Sequence, residues 1–129
     1  MRKLLILLFV TSALSAYSQD KTDCSQFKKG NFTYVADSSG VIEVERRGKY
    51  QIERNPRTGE VWKFTIKWTG DCEYQIKQFA ANRKEAKKKN GRVTKVIITK
   101  TFPDRYEFTC PCPTVENVTN FSGTMIRVQ

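Results

Sequence analysis

Hydrophobic and polar residues alternate at every second position over much of this chain, which is the period of a β-strand with one buried face. The clearest example is residues 61–68. One face of this segment carries four large apolar side chains: Trp62, Phe64, Ile66 and Trp68. The other face carries Val61, Lys63, Thr65 and Lys67. We expect the first face to point into the protein and the second to contact water.

The same alternation predicts further strands along the chain. They are residues 31–35, 41–46, 48–54, 72–77, 92–101, 106–110 and 121–128. In the third of these segments, Tyr50 and Ile52 are predicted to point inward. Residues 55–59 and 69–71 contain the Asn, Pro, Gly and Asp residues that form turns, so the strands at 61–68 and 72–77 are predicted to form a hairpin.

Residues 80–91 are the one part of the chain that favours a helix, because Ala, Lys, Glu and Arg dominate there. Asn90-Gly91 could end that helix or form the tip of a hairpin. Seven to eight short strands with at most one short helix predict an all-β fold. We expect an antiparallel meander that forms a small barrel or a curled sheet.

The N-terminus has the pattern of an export signal. Arg2 and Lys3 give it a positive start, and an apolar run follows over residues 4–10. Even when it is extended to Ala16, this run is shorter than the roughly 20 residues that a membrane-spanning helix needs. The pattern therefore predicts a cleaved signal peptide and no transmembrane segment after its removal.

The small residues Ala16 and Ser18 predict cleavage before Gln19, and residues 13–15 offer an earlier site. A lipid-attachment site would have small apolar residues before its cysteine, but Lys, Thr and Asp precede Cys24. We therefore do not expect a lipoprotein. Removal of residues 1–18 leaves 111 of the 129 residues, enough for one secreted or periplasmic domain. The full-chain charge of +10 becomes +8 once Arg2 and Lys3 are removed.

Four cysteines follow the signal: Cys24, Cys72, Cys110 and Cys112. In an exported chain an even number of cysteines favours disulfide bonds. We favour a Cys24–Cys72 bond, with Cys110 and Cys112 as a strained pair or as thiols. In the alternative arrangement, both of these proline-flanked cysteines bond to other strands, because two cysteines so close on an extended segment are poorly placed to bond each other.

Two motifs carry a resemblance to a known group of proteins. They are Cys24-x-x-Phe27-x-x-Gly30-x-Phe32 and Trp68-x-x-Asp71-Cys72-x-Tyr74. Their order resembles that of small secreted bacterial β-proteins of unknown function, which are distantly similar to lipocalin-like barrels. Gly30-x-Phe32 is similar to the Gly-x-Trp that opens lipocalins, with Phe in place of Trp, and Arg127 is similar to their later arginine. The resemblance implies a fold and no particular activity.

The chain contains no histidine, which removes the commonest general base and the commonest metal ligand. A lone Cys-x-Cys lacks the spacing of a structural zinc site, so we expect no metal and no cofactor. Two pairs of carboxylates are close in sequence: Asp71 with Glu73, and Asp104 with Glu107. A carboxylate-based hydrolase would need such a pair, but solvated surface residues explain both pairs better.

Two groups of residues are candidates for binding. The first is a run of basic residues that could contact a polyanion: Arg83, Lys84, Lys87, Lys88, Lys89 and Arg92. Aromatic residues for base stacking are absent from that run apart from Phe79, and export argues against genomic nucleic acid as the partner. The second is the row Trp62, Phe64, Ile66 and Trp68, which could line a cavity for a small apolar ligand or simply fill the core.

These features favour a secreted, non-enzymatic binding domain, with either a small apolar ligand inside or an anionic partner at the basic surface. The alternative is a structural or protein-interaction module without a small ligand, and a carboxylate-based hydrolase ranks last. The three glycosylation sequons, at Asn31, Asn117 and Asn120, matter only in a cell that glycosylates asparagine.

Overall fold

The structure, a computed structural model, describes residues 23–36, 39–111 and 121–129. The signal-like segment, Cys112 and the sequons at Asn117 and Asn120 lie outside these residues. Eight strands follow one another: β1 (Gly30–Ala36), β2 (Gly40–Arg47), β3 (Tyr50–Arg54), β4 (Val61–Gly70), β5 (Glu73–Ala81), β6 (Val93–Thr101), β7 (Arg105–Cys110) and β8 (Phe121–Val128). A 3-10 turn at Ser25–Phe27 precedes β1, and one turn of α-helix, α1 (Lys84–Lys87), lies between β5 and β6.

Each strand pairs antiparallel with the next, and β8 pairs with β1, so the sheet closes into a barrel. Closure pairs every edge that an open sheet would expose to other chains. Apolar side chains from the inward positions of seven strands fill the interior, for example Phe32 in β1, Val44 in β2 and Met125 in β8. The predicted all-β antiparallel meander of seven to eight strands is confirmed, and the barrel rather than the curled sheet is the form observed.

The barrel has two ends that differ in construction. At one end β1 begins and short turns join β2 to β3, β4 to β5 and β6 to β7. Cys24, just before β1, bonds to Cys72 in the β4–β5 turn with an S–S distance of 2.05 Å, so we call this the disulfide end. The longer connections, including residues 55–60 and 82–92, lie at the opposite end, which we call the loop end.

The predicted orientation of β3 is wrong. Gln51 and Glu53 point inward and are buried, whereas Tyr50 is 48% exposed on the outer surface. The two-residue turn between β2 and β3 places Arg46 opposite Gln51. Directly opposed residues in an antiparallel pair share a face, so inward Arg46 brings Gln51 and Glu53 inward with it. Tyr50 instead packs against the exposed Phe79 ring, with 6.0 Å between centroids.

The helical tendency predicted for residues 80–91 is realised only in part. β5 extends to Ala81, and α1 covers only four residues. A turn then leads to Gly91, whose φ of +89° suits glycine because it lacks a Cβ. The segment therefore connects two strands of the barrel without contributing a helix to the core.

Candidate functional site in the barrel interior

A buried arginine lies at the centre of the barrel. Arg46 has no exposed surface, although it occupies an inward position of β2 after the apolar Ile42 and Val44. Its Nε donates to Gln51 Oε1 at 2.7 Å, and its Nη1 donates to the Phe27 carbonyl at 3.0 Å. A buried charge is tolerated only when its hydrogen-bonding groups are satisfied, and these contacts provide part of that satisfaction.

Two tyrosine hydroxyls complete the shell around Arg46. Nη2 donates to Tyr74 Oη at 2.6 Å and to Tyr106 Oη at 2.7 Å. Burial lowers the pKa of the Arg46 guanidinium, but its interactions with the two tyrosines raise that pKa above its ordinary value, so Arg46 stays charged. We call Arg46, Gln51, Tyr74 and Tyr106 the Arg46 cluster.

The two tyrosine hydroxyls also contact each other. Their oxygens are 3.0 Å apart, so one hydroxyl donates to the other. Because both oxygens already accept from Arg46, the second hydroxyl proton is left for another acceptor. Tyr74 lines the interior cavity described below, so when Tyr106 is the donor of the pair, Tyr74 has a proton for a molecule bound there. Burial raises the pKa of Tyr74 well above its ordinary value, which keeps the hydroxyl protonated.

Glu53 lies beside the Arg46 cluster and is only 8% exposed. Its Oε1 accepts from Gln51 Nε2 at 2.7 Å, and its Oε2 accepts from the Tyr34 hydroxyl at 3.0 Å. Burial raises the pKa of the Glu53 carboxyl, although the hydrogen bonds from Tyr34 and Gln51 and the charge of Arg46 offset part of this effect. Gln51 thus lies between the buried cation and the buried carboxyl and hydrogen-bonds to both.

A cavity of about 180 Å³ extends from this polar layer toward the loop end. Its polar wall is formed by Tyr34, Gln51, Glu53 and Tyr74. The other lining residues are Phe64, Ile76, Thr94, Val96, Phe108, Cys110, Phe121 and Met125. A cavity of about 150 Å³ is enough for benzene, so this one suits a molecule built on one aromatic ring or a short alkyl chain.

The disulfide end of the interior is filled. Phe27 has no exposed surface and packs edge-on against Tyr106, with 4.9 Å between ring centroids. The guanidinium of Arg127 lies over the Phe27 and Phe32 rings, at 5.5 and 5.1 Å from their centroids, and donates to the Gln26 carbonyl. The residues of the lipocalin resemblance, Gly30, Phe32 and Arg127, therefore meet at this end.

The row of aromatic residues on β4 divides between the two halves of the barrel. Ile66 is buried, and Trp62 and Trp68 are partly buried against the core. Trp68 packs on Tyr74 with ring centroids 4.8 Å apart and lies under Lys28, whose Nζ is 5.2 Å from the ring. Of the four predicted cavity-lining residues, only Phe64 lies among the residues that line the cavity.

The structure confirms the favoured Cys24–Cys72 disulfide. Cys110, at the end of β7, is buried and lines the cavity. The pairing alternatives that involve Cys112 concern a residue outside the described part of the chain.

The six predicted polyanion-binding residues all lie in residues 82–92, which we call the basic connection, and all are exposed. Hydrogen bonds fix this connection to its surroundings. The buried Gln78 donates through Nε2 to the Ala86 carbonyl at 2.7 Å and to Asn90 Oδ1 at 2.9 Å. Arg83 donates to the Thr58 carbonyl in the neighbouring connection at 2.7 Å. The remaining basic side chains therefore project from an ordered backbone.

The predicted carboxylate pairs do not form a site. Glu73 pairs with Lys95 at 3.0 Å, and Asp104 pairs with Arg105 at 3.3 Å, both at the surface. Among the described residues, no three potential metal ligands lie together. In the same part of the chain, no helix is long and apolar enough to cross a membrane.

A second concavity of about 340 Å³ lies on the outer surface along β1, β2 and β8. Its charged residues are Glu43, Glu45 and Arg54, and Glu45 pairs with Arg54 at 3.4 Å and with Arg47 at 2.5 Å. Because these charges largely satisfy each other in water, this groove offers less for recognition than the interior cavity.

Sequence reasoning missed the three residues that give the interior its chemistry: Arg46, Gln51 and Glu53. The only signal in the sequence was the position of Arg46, which continues the alternation of Ile42 and Val44. Comparisons of the chain with protein-family models, with curated proteins and with solved structures returned no match. The similarity to lipocalin-like barrels therefore stays a prediction.

Proposed function

We propose that this protein is a non-enzymatic binding protein that acts outside the cytoplasm and holds a small, largely apolar molecule inside the barrel. The observation that carries the proposal is the cavity of about 180 Å³, with apolar walls and one polar side. Ligand sites in proteins typically combine mostly apolar walls with a few placed polar groups. The Cys24–Cys72 disulfide supports an extracytoplasmic location, because such bonds persist in oxidising compartments.

The arrangement of the interior favours binding over catalysis. The buried polar groups hydrogen-bond to each other, and among the described residues no buried side-chain nitrogen or oxygen lacks a partner. Hydrolysis by carboxylates would need a second carboxyl across the cavity, whereas Glu53 is the only carboxylate that lines it within the described part of the chain. The cavity therefore supplies shape and hydrogen bonds without a paired acid and base.

Filling the cavity tests the proposal. Thr94 is half-buried and lines the cavity, whereas Thr99 on the same strand is exposed. We expect small aromatic molecules to raise the melting temperature of the wild-type protein and of Thr99→Trp, but not that of Thr94→Trp. Equal ligand-induced stabilisation of both variants would place the ligand elsewhere, and no stabilisation of any form at millimolar ligand would refute the proposal.

The basic connection supports a second candidate function, the binding of a polyanion. The observation that supports this candidate is that hydrogen bonds from Gln78 and Arg83 attach the connection to the rest of the barrel. Its exposed cations therefore project from a fixed backbone. Reversing Lys87, Lys88 and Lys89 to Glu should reduce retention on heparin at low salt, and wild-type retention should fall as salt rises. The free energy of unfolding should change by no more than about 0.5 kcal/mol for each substitution, because the residues are exposed. Unchanged retention of the triple variant would show that these charges only keep the protein soluble.

A further inference from the structure

Among the residues that the structure describes, Glu53 is the one carboxylate buried beside the cavity. Four other carboxylates form ion pairs at the surface: Glu45, Glu73, Glu85 and Asp104. Among the described residues, no Lys or Arg nitrogen forms a salt bridge with the Glu53 carboxylate. The nearest positive charge in the interior, on Arg46, reaches it through Gln51, which donates to Glu53 and accepts from Arg46.

The Glu53 carboxylate can accept more hydrogen bonds than it does in the structure. Each of its oxygens accepts one hydrogen bond, from Gln51 and from Tyr34, whereas an ionised carboxylate has about four lone-pair positions. Burial also raises the pKa of this carboxyl, which means that its surroundings stabilise the negative charge less well than water does. A positively charged hydrogen-bond donor in the cavity would use a free lone pair of Glu53 and would also stabilise its negative charge.

The cavity walls suit such a donor. Three phenylalanines line the cavity beside Tyr34 and Tyr74, namely Phe64, Phe108 and Phe121. Tyr34 meets Phe108 edge to face with centroids 6.2 Å apart, and the Phe108 and Phe121 centroids are 5.9 Å apart. Aromatic faces attract organic cations, and the attraction grows when the cation leaves water.

We propose that the ligand is a small organic ammonium compound, whose amine hydrogen-bonds to Glu53 while its aromatic or short alkyl part fills the aromatic-walled cavity. This inference rests on the proposed function and specifies the chemical class of its ligand. The positive residues of the exterior do not oppose it, because salt screens exposed charges beyond about 8 Å. Inside the cavity the nearest charge is the carboxylate.

Three compounds with one ring test the proposal: benzylamine, benzyl alcohol and benzoate. Each carries one phenyl ring bonded to a single further carbon, and their polar groups are cationic, neutral and anionic, respectively. Calorimetric titration of the unmutated protein should show benzylamine binding about 10- to 100-fold more tightly than benzyl alcohol, which is the range of a charged hydrogen bond. Benzoate should bind most weakly of the three.

Glu53→Gln keeps the shape of the side chain and removes its charge. We expect this variant to lose the preference for benzylamine while its affinity for benzyl alcohol stays within about twofold, a change of less than about 0.5 kcal/mol. The matched control is Glu107→Gln, which alters an exposed carboxylate on β7 and should leave the preference intact. If Glu53→Gln fails to fold, the three titrations of the unmutated protein still decide the proposal.

The outcomes separate the two proposals. Equal binding of benzylamine and benzyl alcohol, or tighter binding of benzoate, would overturn the ammonium ligand and leave the interior binding site standing. Retention of the benzylamine preference by Glu53→Gln would also overturn it. Binding of none of the three compounds at millimolar concentration would overturn the binding site itself, and the ammonium ligand with it.

Discussion

The two halves of the barrel interior are built from the same kinds of residue but differ in how completely these residues fill the space. At the disulfide end, Phe27, Phe32 and Tyr106 pack against each other around the Arg46 guanidinium. At the loop end, rings of similar size surround a cavity. The difference lies in the turn Ser25–Phe27, which supplies an extra side chain and a carbonyl to the first half.

This contrast explains where stability and where binding should reside. A close-packed interior loses contacts with every removed atom, whereas a cavity wall already lacks contacts on one side. Substitutions at the disulfide end should therefore unfold the protein, and substitutions around the cavity should mainly change what it binds. Four measurements examine this division, taken from the largest expected effect to the smallest.

The largest effect should come from Arg46. Arg46→Met removes the donor to Gln51, Tyr74 and Tyr106 and leaves their oxygens buried. We expect a loss of about 3–5 kcal/mol in the free energy of unfolding, because each buried group that loses its partner costs about 1–3 kcal/mol. Urea denaturation of Arg46→Met and of Arg47→Met measures the difference. Arg47 is the next residue on β2, and its side chain is 80% exposed, so its substitution should cost less than about 1 kcal/mol. Similar losses in both variants would contradict the structural role of the Arg46 cluster.

A matched pair of phenylalanines compares the two halves directly. Phe27→Ala should cost about 3–5 kcal/mol, the range for truncating a buried aromatic residue. Phe64 is only half-buried and borders the cavity, so Phe64→Ala should cost less than about 3 kcal/mol. Thr65→Ala, on the exposed face of the same strand, should stay within about 0.5 kcal/mol. A larger loss for Phe64→Ala than for Phe27→Ala would show that the loop end, and not the disulfide end, contributes more to stability.

The disulfide should contribute next. Cys24 and Cys72 are separated by 48 residues, and a bond that closes a loop of this kind typically stabilises a protein by about 2–4 kcal/mol by restricting the unfolded chain. We expect the double variant Cys24→Ala, Cys72→Ala to lose that amount in chemical denaturation and to keep its affinity for cavity ligands. Loss of ligand binding in a variant that is still folded would show that the two ends are coupled.

The smallest effect is the pH dependence of stability that Glu53, in the wall of the cavity, should cause. Because burial raises the folded-state pKa of Glu53, the stability linked to its protonation is fully present below the unfolded pKa of about 4.3 and is lost as pH rises through the folded pKa. The Glu53→Gln variant does not lose stability in this way, because glutamine has no carboxyl to titrate. The stability of the wild-type protein relative to Glu53→Gln should therefore fall as pH rises above about 4.3. A difference that rises with pH would mean that the folded protein stabilises the Glu53 charge.

Most of the strand pattern was predictable, because a barrel wall requires inward and outward residues to alternate. Residues 61–68 show this well, since the exposed Lys63, Thr65 and Lys67 face water as expected. Phe121–Val128 was predicted with the bounds that the structure has. The length of the helix predicted for residues 80–91 was overestimated, since the structure has only one helical turn there. Helix propensity is a weak preference, and the pairing of β5 with its neighbours outweighed it.

The sequence by itself determined the strands and most of the turns, since these depend on residues close in the chain. The Cys24–Cys72 pairing was one of two open arrangements, and the tertiary structure decided it. Tertiary structure decided which face of β3 is buried. Tyr50 and Ile52 are the more apolar residues of that strand, yet its pairing with β2 turns Gln51 and Glu53 inward. Those polar residues are stable inside because Arg46 of β2 donates to Gln51 and Tyr34 of β1 donates to Glu53. Tyr34 and Glu53 are 19 residues apart on β1 and β3, which are not neighbours in the sheet, and local periodicity carries no information about such a contact.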